Sequence, residues 1–137
     1  MEKCKIRLNG FETLAAKVQE KSQEDFLACS RRAVLLLRVN ARKHTPVAKS
    51  TAQHTGGSLR QSLRVQMPSA GTPGTVGYTV HYAPHVEYGH RQQPGRFVPQ
   101  IGKRLKASYV PGQYFLKTAV EETRPEFHQD LKETLKK

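Results

Sequence analysis

The chain has 137 residues, of which 36% are apolar and none is tryptophan, so it suits one domain with a single modest core. No apolar run approaches the roughly 18 residues that a membrane span requires, which argues against a transmembrane protein and predicts no membrane partner. Lys and Arg number 23 against 11 Asp and Glu, and the net charge of +12 favours polyanions or acidic protein surfaces as partners.

A long helix is the first major element predicted along the chain. From Phe11 to about Arg42 one side carries side chains at helical spacing, namely Phe11, Ala15, Val18, Ser22, Phe26, Cys29, Ala33, Leu36 and Leu37. The segment exceeds the usual length of a globular helix, which allows a break near residues 20–23. Opposite, Arg31, Arg38 and Arg42 form a stripe that is either a solvated face or a contact for an acidic partner or phosphates. Upstream, the alternation at residues 4–8 offers one candidate extra strand.

A β-hairpin is predicted in the centre of the chain. Pro46 ends the first helix, and the small polar residues that follow predict a mobile loop over about 46–58. Residues 58–62 suit a short turn of helix. Apolar residues then alternate in two runs, 63–67 and 76–82, which are joined by the turn sequence PSAGTPG.

The last third combines a basic segment with a second helix. Residues 90–108 show no sustained period, which predicts an irregular, mobile loop of functional importance. Residues 110–137 have helical spacing, and Pro125 should kink or divide them near Arg124. This order predicts an α+β fold, in which a long N-terminal helix and a C-terminal helix pack on a small antiparallel sheet containing a central β-hairpin. All 137 residues would form a single domain.

One segment, HYAPHVEYGHR at residues 81–91, invites a chemical interpretation. It contains four side chains of metal-ligand type: His81, His85, Glu87 and His90. Their spacing matches no recurring metal motif, and no Cys or acidic cluster elsewhere completes a ligand set. The alternation favours a structural role, in which Tyr82 continues the inward face of the second strand and Pro84 ends its ladder. Glu87 would then be partly buried, and we expect it to pair with Arg60.

The sequence offers no support for catalysis. No serine lies in a strand-turn-helix elbow, and there is no P-loop and no dinucleotide-binding fingerprint. The GTPGTVG run suits a hairpin turn rather than a phosphate cradle. We therefore expect no enzymatic activity, no cofactor and no metal.

Three short motifs occur in order along the chain. Thr45-Pro46 is followed by TGGSLRQS at residues 55–62, by the hairpin, and by YAPHVEYGH at residues 82–90. This order resembles a family of tailed-bacteriophage structural proteins, whose members read approximately P-x-x-T-G-x-L-R-x-S and then Y-A-x-x-V-E-Y-G. The resemblance spans about residues 35–120. The chain departs from the pattern in the longer spacing before its double glycine and in His90. The matching residues are Gly57, Leu59, Arg60, Ser62, Tyr82, Ala83, Glu87, Tyr88 and Gly89.

That family comprises small head–tail joining, neck and tail-completion proteins, also described as minor capsid or virion morphogenesis proteins. The resemblance implies a non-enzymatic subunit of a homo-oligomeric ring of six or twelve copies, located in the virion at the head–tail junction. Its partners would be copies of itself, neighbouring connector, neck or tail-tube proteins, and packaged DNA. The N-terminus has no apolar stretch of signal-peptide length, which predicts the host cytoplasm as its location before assembly. Five basic residues are expected to meet acidic neighbours or DNA: Arg91, Arg96, Lys103, Arg104 and Lys106.

Two other functions remain open at this point. A basic nucleic-acid-binding protein would explain the net charge and the arginine stripe, although the chain contains no recognised binding motif. A small metal-dependent nuclease or toxin would require the histidine cluster to be a site.

Overall fold

The computed structural model describes residues 11–50 and 56–136. The predicted α+β class is confirmed: two long helices pack against each other beside small antiparallel sheets. The helices are α1 (Phe11–His44), α2 (Ser58–Gln61), α3 (Ala83–Tyr88) and α4 (Phe115–Lys136), with one turn of 3₁₀ helix at Pro99–Ile101. The strands are β1 (Leu63–Gln66), β2 (Thr75–Tyr78), β3 (Gly89–Arg91), β4 (Phe97–Val98), β5 (Lys103–Arg104) and β6 (Tyr109–Pro111). The candidate strand at residues 4–8 lies outside the described residues.

Small buried residues let α1 and α4 approach closely. Cys29, Ala41 and Ala119 are at most 1% exposed, and none has a side chain large enough to hold the helices apart. Arg32 then donates two hydrogen bonds, of 2.8 and 2.7 Å, to the carboxylate of Asp130 across the pair. Since α1 runs unbroken through residues 20–23, the break that its length allowed does not occur; the segment contains neither Gly nor Pro.

The predicted apolar side of α1 is buried only in its second half. Cys29 is fully buried, whereas Val18 is 61% exposed, and every side chain of residues 13–21 is exposed. The first turns of α1 therefore extend beyond the part of the helix that α4 covers.

Pro125 lies inside α4 without dividing it. The side chain is exposed, so the carbonyl oxygen that the missing N–H leaves unpaired is near solvent and can be hydrated. Of the two outcomes predicted for Pro125, division of the C-terminal segment is wrong, and a kink near Arg124 stays a prediction. Residues 109–111 belong to a strand rather than to this helix.

The central β-hairpin is confirmed, but it is shorter than predicted. Leu63 pairs with Tyr78 and Val65 with Val76, and along the first strand half-buried residues alternate with exposed ones. The second strand ends at Tyr78, so the prediction that Tyr82 continues it and that Pro84 ends its ladder is wrong. Pro84 instead lies in the first turn of α3, where its ring geometry favours helix and its missing N–H is not needed.

The basic segment is organised as a second hairpin, not as an irregular loop. At its base β3 pairs with β6, and near its tip β4 pairs with β5. Between these pairs, backbone hydrogen bonds join Gln92 to Ser108 and Gly95 to Leu105, each 2.8 Å long. We call residues 89–111 the basic hairpin. Its mobility, like that of the loop at about 46–58, stays a prediction.

Candidate assembly site

The matching motif residues lie around one small core. Leu59, Ala83 and Phe115 form a buried cluster against which Tyr82 and Val86 pack. The ring of Tyr78 meets that of Phe115 edge to face, with 5.1 Å between ring centroids. Residues from the TGGSLRQS motif, from the YAPHVEYGH motif and from α4 thus share one core.

The first motif supplies a tight turn and a short helix. Gly57 precedes α2 with a φ of 93°, a left-handed conformation that glycine adopts without a steric penalty. At the other end of α2, the hydroxyl of Ser62 donates a 2.7 Å hydrogen bond to the carbonyl oxygen of Leu59. Gly57 and Ser62 therefore shape the backbone that places Leu59 in the core.

Glu87 caps the N-terminus of α4. Its side chain is only 6% exposed, and its two carboxylate oxygens accept hydrogen bonds from the backbone N–H groups of Leu116 (3.0 Å) and Lys117 (2.9 Å). Its own carbonyl oxygen accepts a third, from Tyr114 (3.1 Å). The helix dipole and the otherwise unpaired N–H groups compensate the buried negative charge.

Arg60, the predicted ion-pair partner of Glu87, makes a different contact. Its Nη2 donates a 3.4 Å hydrogen bond to the carbonyl oxygen of Thr45, and no ion pair joins it to Glu87 in the described parts of the chain. Both charges nevertheless act on Tyr78. Burial raises the pKa of the Tyr78 hydroxyl; the hydrogen bond with Thr45 lowers this pKa, the charge of Glu87 raises it, and Arg60 lowers it.

Gly89 joins this core to the basic hairpin. Its φ is 84°, and an added Cβ would collide with the carbonyl oxygen of Val110 and with the backbone nitrogen of Gly112. Next to it, the side chain of Tyr88 is exposed, and its carbonyl oxygen accepts a 3.0 Å hydrogen bond from the hydroxyl of Tyr109. The end of the second motif therefore packs against the base of the basic hairpin and fixes its position.

All five predicted partner-binding residues lie on the basic hairpin with exposed side chains: Arg91, Arg96, Lys103, Arg104 and Lys106. Arg104 donates a 2.8 Å hydrogen bond to the carbonyl oxygen of Gly95, and it lies opposite Phe97 in the β4–β5 register. Phe97 and Ile101 are 52% and 58% exposed, so the tip offers apolar as well as cationic surface. The sequence interpretation did not single out these two residues, because the segment shows no sustained apolar period.

The exposed charged side chains between Phe26 and Val120 are all positive. Glu87 is the only acidic residue between Phe26 and Val120, and its carboxylate is buried against α4. No exposed carboxylate from within that segment therefore neutralises the hairpin, and its cationic side chains are exposed to solvent.

The histidines do not form a metal centre within the described ranges, 11–50 and 56–136, where no group of three or more His, Cys, Asp or Glu side chains is placed to hold an ion. His85 and His90 stack edge to face at 5.7 Å, and Nε2 of His90 lies 3.2 Å from the amide nitrogen of Gln92. No helix of the same ranges combines the length and the apolar character needed to cross a membrane.

The Glu87 cap was missed, although one sequence signal could have revealed it. The residues before α4 read VPGQY and include no Ser, Thr, Asp or Asn to cap the helix locally. A helix start without a local cap needs an acceptor from elsewhere in the fold. As the only acid in a long basic segment, Glu87 was a clear candidate.

Comparisons of the chain with protein-family models, with curated proteins and with solved structures found no match. The resemblance to the phage structural family therefore depends on the motif residues alone.

Proposed function

We propose that this chain is a non-enzymatic structural subunit of the head–tail connection of a tailed bacteriophage, acting as a neck or tail-completion protein within a ring. The proposal depends on one observation: the motif residues support the fold rather than form a chemical site. Leu59 and Ala83 build the core, Glu87 caps α4, and Gly89 starts the basic hairpin. A motif used for support rather than for chemistry suits an architectural protein.

In this proposal the basic hairpin is the docking element. Its cations and its exposed Phe97 and Ile101 would meet an acidic surface of a neighbouring phage protein, or the DNA that passes through the joint. Cationic and apolar groups presented together suit a partner that is acidic at its rim and apolar at its centre.

The second candidate function, a basic nucleic-acid-binding protein, is favoured by the absence of any Asp or Glu within the basic hairpin, residues 89–111. The two functions differ in assembly and in affinity. A ring subunit should form a closed oligomer and bind DNA weakly and without sequence preference. A free DNA-binding protein should instead form a tight complex as a monomer.

The test combines mass measurement and electron microscopy of the purified chain with DNA binding over a series of salt concentrations. If the five hairpin cations contact phosphates, log Kobs should fall with log salt at a slope of about −4 to −5. Charge reversal at Arg96, Lys103 and Lys106 to Glu should reduce that slope by about 3 and leave the ring intact. The matched control reverses the same number of charges, at Arg64, Lys132 and Lys136. A purified chain that stays monomeric at every concentration and binds DNA tightly would replace the first function with the second.

A further inference from the structure

The first turns of α1 carry an apolar stripe that no part of the described chain covers. We call residues 13–21 the arm; all of its side chains are exposed, including Leu14 at 60% and Val18 at 61%. These two residues are four positions apart and so lie on the same helix face, flanked on one side by Lys17 and Lys21. This arrangement is that of a helix that binds in a groove through i and i+4 anchors.

The same chain also contains an open groove with apolar walls. It lies between α1, α4 and the turn that joins β1 to β2, and it has a volume of about 1000 Å³. Its walls include Phe26 and Leu37 from α1, Val120 and Phe127 from α4, and Pro73 from the turn. Phe26 and Val120 are each 37% exposed, so apolar surface is left open to solvent there.

The arm cannot enter the groove of its own copy. α1 is one unbroken helix, so residues 13–21 cannot fold back onto residues 26–37. At 100° per residue, Leu14 and Val18 also lie about 120° around the helix axis from the mean direction of Phe26, Ser30 and Leu37. The stripe and the groove therefore point to different sides of one rigid helix.

We propose that the arm of one copy binds in the groove of the next copy, with Leu14 and Val18 against its apolar walls. The charges agree with this placement: Lys17 and Lys21 flank the stripe, and Glu20 and Glu24 lie at the edge of the groove. In the described parts of the chain, neither glutamate takes part in an ion pair.

The Leu14–Val18 stripe and the groove are different surfaces, so their pairing is head to tail, and copies joined in this way close into a ring when the rotation between them permits. The inference rests on the proposed ring and names its contact. Nine helical residues span about 14 Å, and an interface of that size is weak when it forms alone. Closure strengthens it, because each subunit in a ring makes two such contacts.

The experiment uses three single variants and measures mass in solution by light scattering over a concentration series. Leu14→Asp should weaken self-association about thirtyfold or more, because it removes an apolar anchor and places a charge in the groove. Val120→Arg should have a similar effect by filling the groove. The matched control is Val39→Asp, since Val39 is on the same helix, is 62% exposed and lies outside both surfaces. Circular dichroism and urea unfolding establish that each variant is folded.

A mixture of the two defective proteins gives the decisive result. Leu14→Asp retains its groove and Val120→Arg retains its arm, so the mixture should form two-chain complexes at concentrations where each variant alone is monomeric. If the ring survives Leu14→Asp, or if Val39→Asp disrupts it equally, the arm–groove contact is refuted but the proposed ring function is not. If the wild-type chain forms only dimers and the mixture still forms two-chain complexes, the arm–groove contact is supported and the ring is refuted. A wild-type chain that never associates refutes both.

Discussion

Replacement of Glu87 by Gln tests whether the carboxylate stabilises the fold through α4. The side chain is 6% exposed and accepts two backbone hydrogen bonds, each of which is worth about 1.5–3 kcal/mol when the acceptor is charged. Gln retains one acceptor oxygen, but its NH₂ group faces an N–H donor, and the favourable interaction with the helix dipole is lost. We expect a loss of about 2–3 kcal/mol for Glu87→Gln and about 3–5 kcal/mol for Glu87→Ala.

Urea unfolding followed by far-ultraviolet circular dichroism measures the free energy of unfolding directly. For a chain of this size, 1 kcal/mol corresponds to roughly 3 °C, so Glu87→Gln should lower the Tm by about 6–9 °C. Glu121→Gln is the matched control: it makes the same charge change nearly two turns into α4, where the exposed Glu121 lies 4.0 Å from Lys117. The control should change stability by less than about 0.5 kcal/mol. Equal effects of the two substitutions would show that the buried cap contributes nothing specific.

Two further predictions concern the hairpin support and the helix pair. Gly89→Ala should destabilise the protein by about 2 kcal/mol more than Gly95→Ala. Both glycines have a φ of 84°, but of the two only Gly89 has neighbours within 4 Å of an added Cβ. Equal losses of stability in urea unfolding would contradict this account. The ion pair with His44, whose Nε2 lies 2.9 Å from Oε1 of Glu122, is the main cause that lowers the pKa of Glu122. This carboxylate therefore stabilises the native state above the ordinary glutamate pKa and loses that contribution as the pH falls below about 4. The Tm of the wild type should therefore drop more steeply on acidification than that of Glu122→Gln, and parallel curves would count against the ion pair.

The regular elements could be predicted because their signals are local. The spacing of apolar residues along α1 and the alternation in β1 and β2 each depend on neighbours within a few positions; the structure confirms the helix and both strands, and burial alternates along β1 but not along β2. The basic residues of the second hairpin were also identified from sequence as an exposed group. Their arrangement in paired strands was not, because the ladder alternates short paired stretches with unpaired residues and shows no sustained period.

The charge of Glu87 illustrates the limit of local reasoning. The sequence indicated that a carboxylate among apolar neighbours needs a positive partner, and it suggested the nearest motif arginine. In the fold that partner is the start of a helix 29 positions later along the chain. The lack of a local cap before α4 could be read from the sequence, but only the packing of α3 against α4 shows that Glu87 supplies the missing acceptor.

The sequence alone determined the α+β class, the long helices, the central hairpin and the strongly basic character of the middle of the chain. These features follow from side-chain periodicity and from charge, which do not depend on how distant segments meet. Tertiary structure alone decided that residues 83–88 form a helix, that Glu87 caps α4, and that an arm and a groove lie on different sides of one chain. Each of these results depends on contacts between residues far apart in sequence, and burial and hydrogen bonding across such distances override local preference.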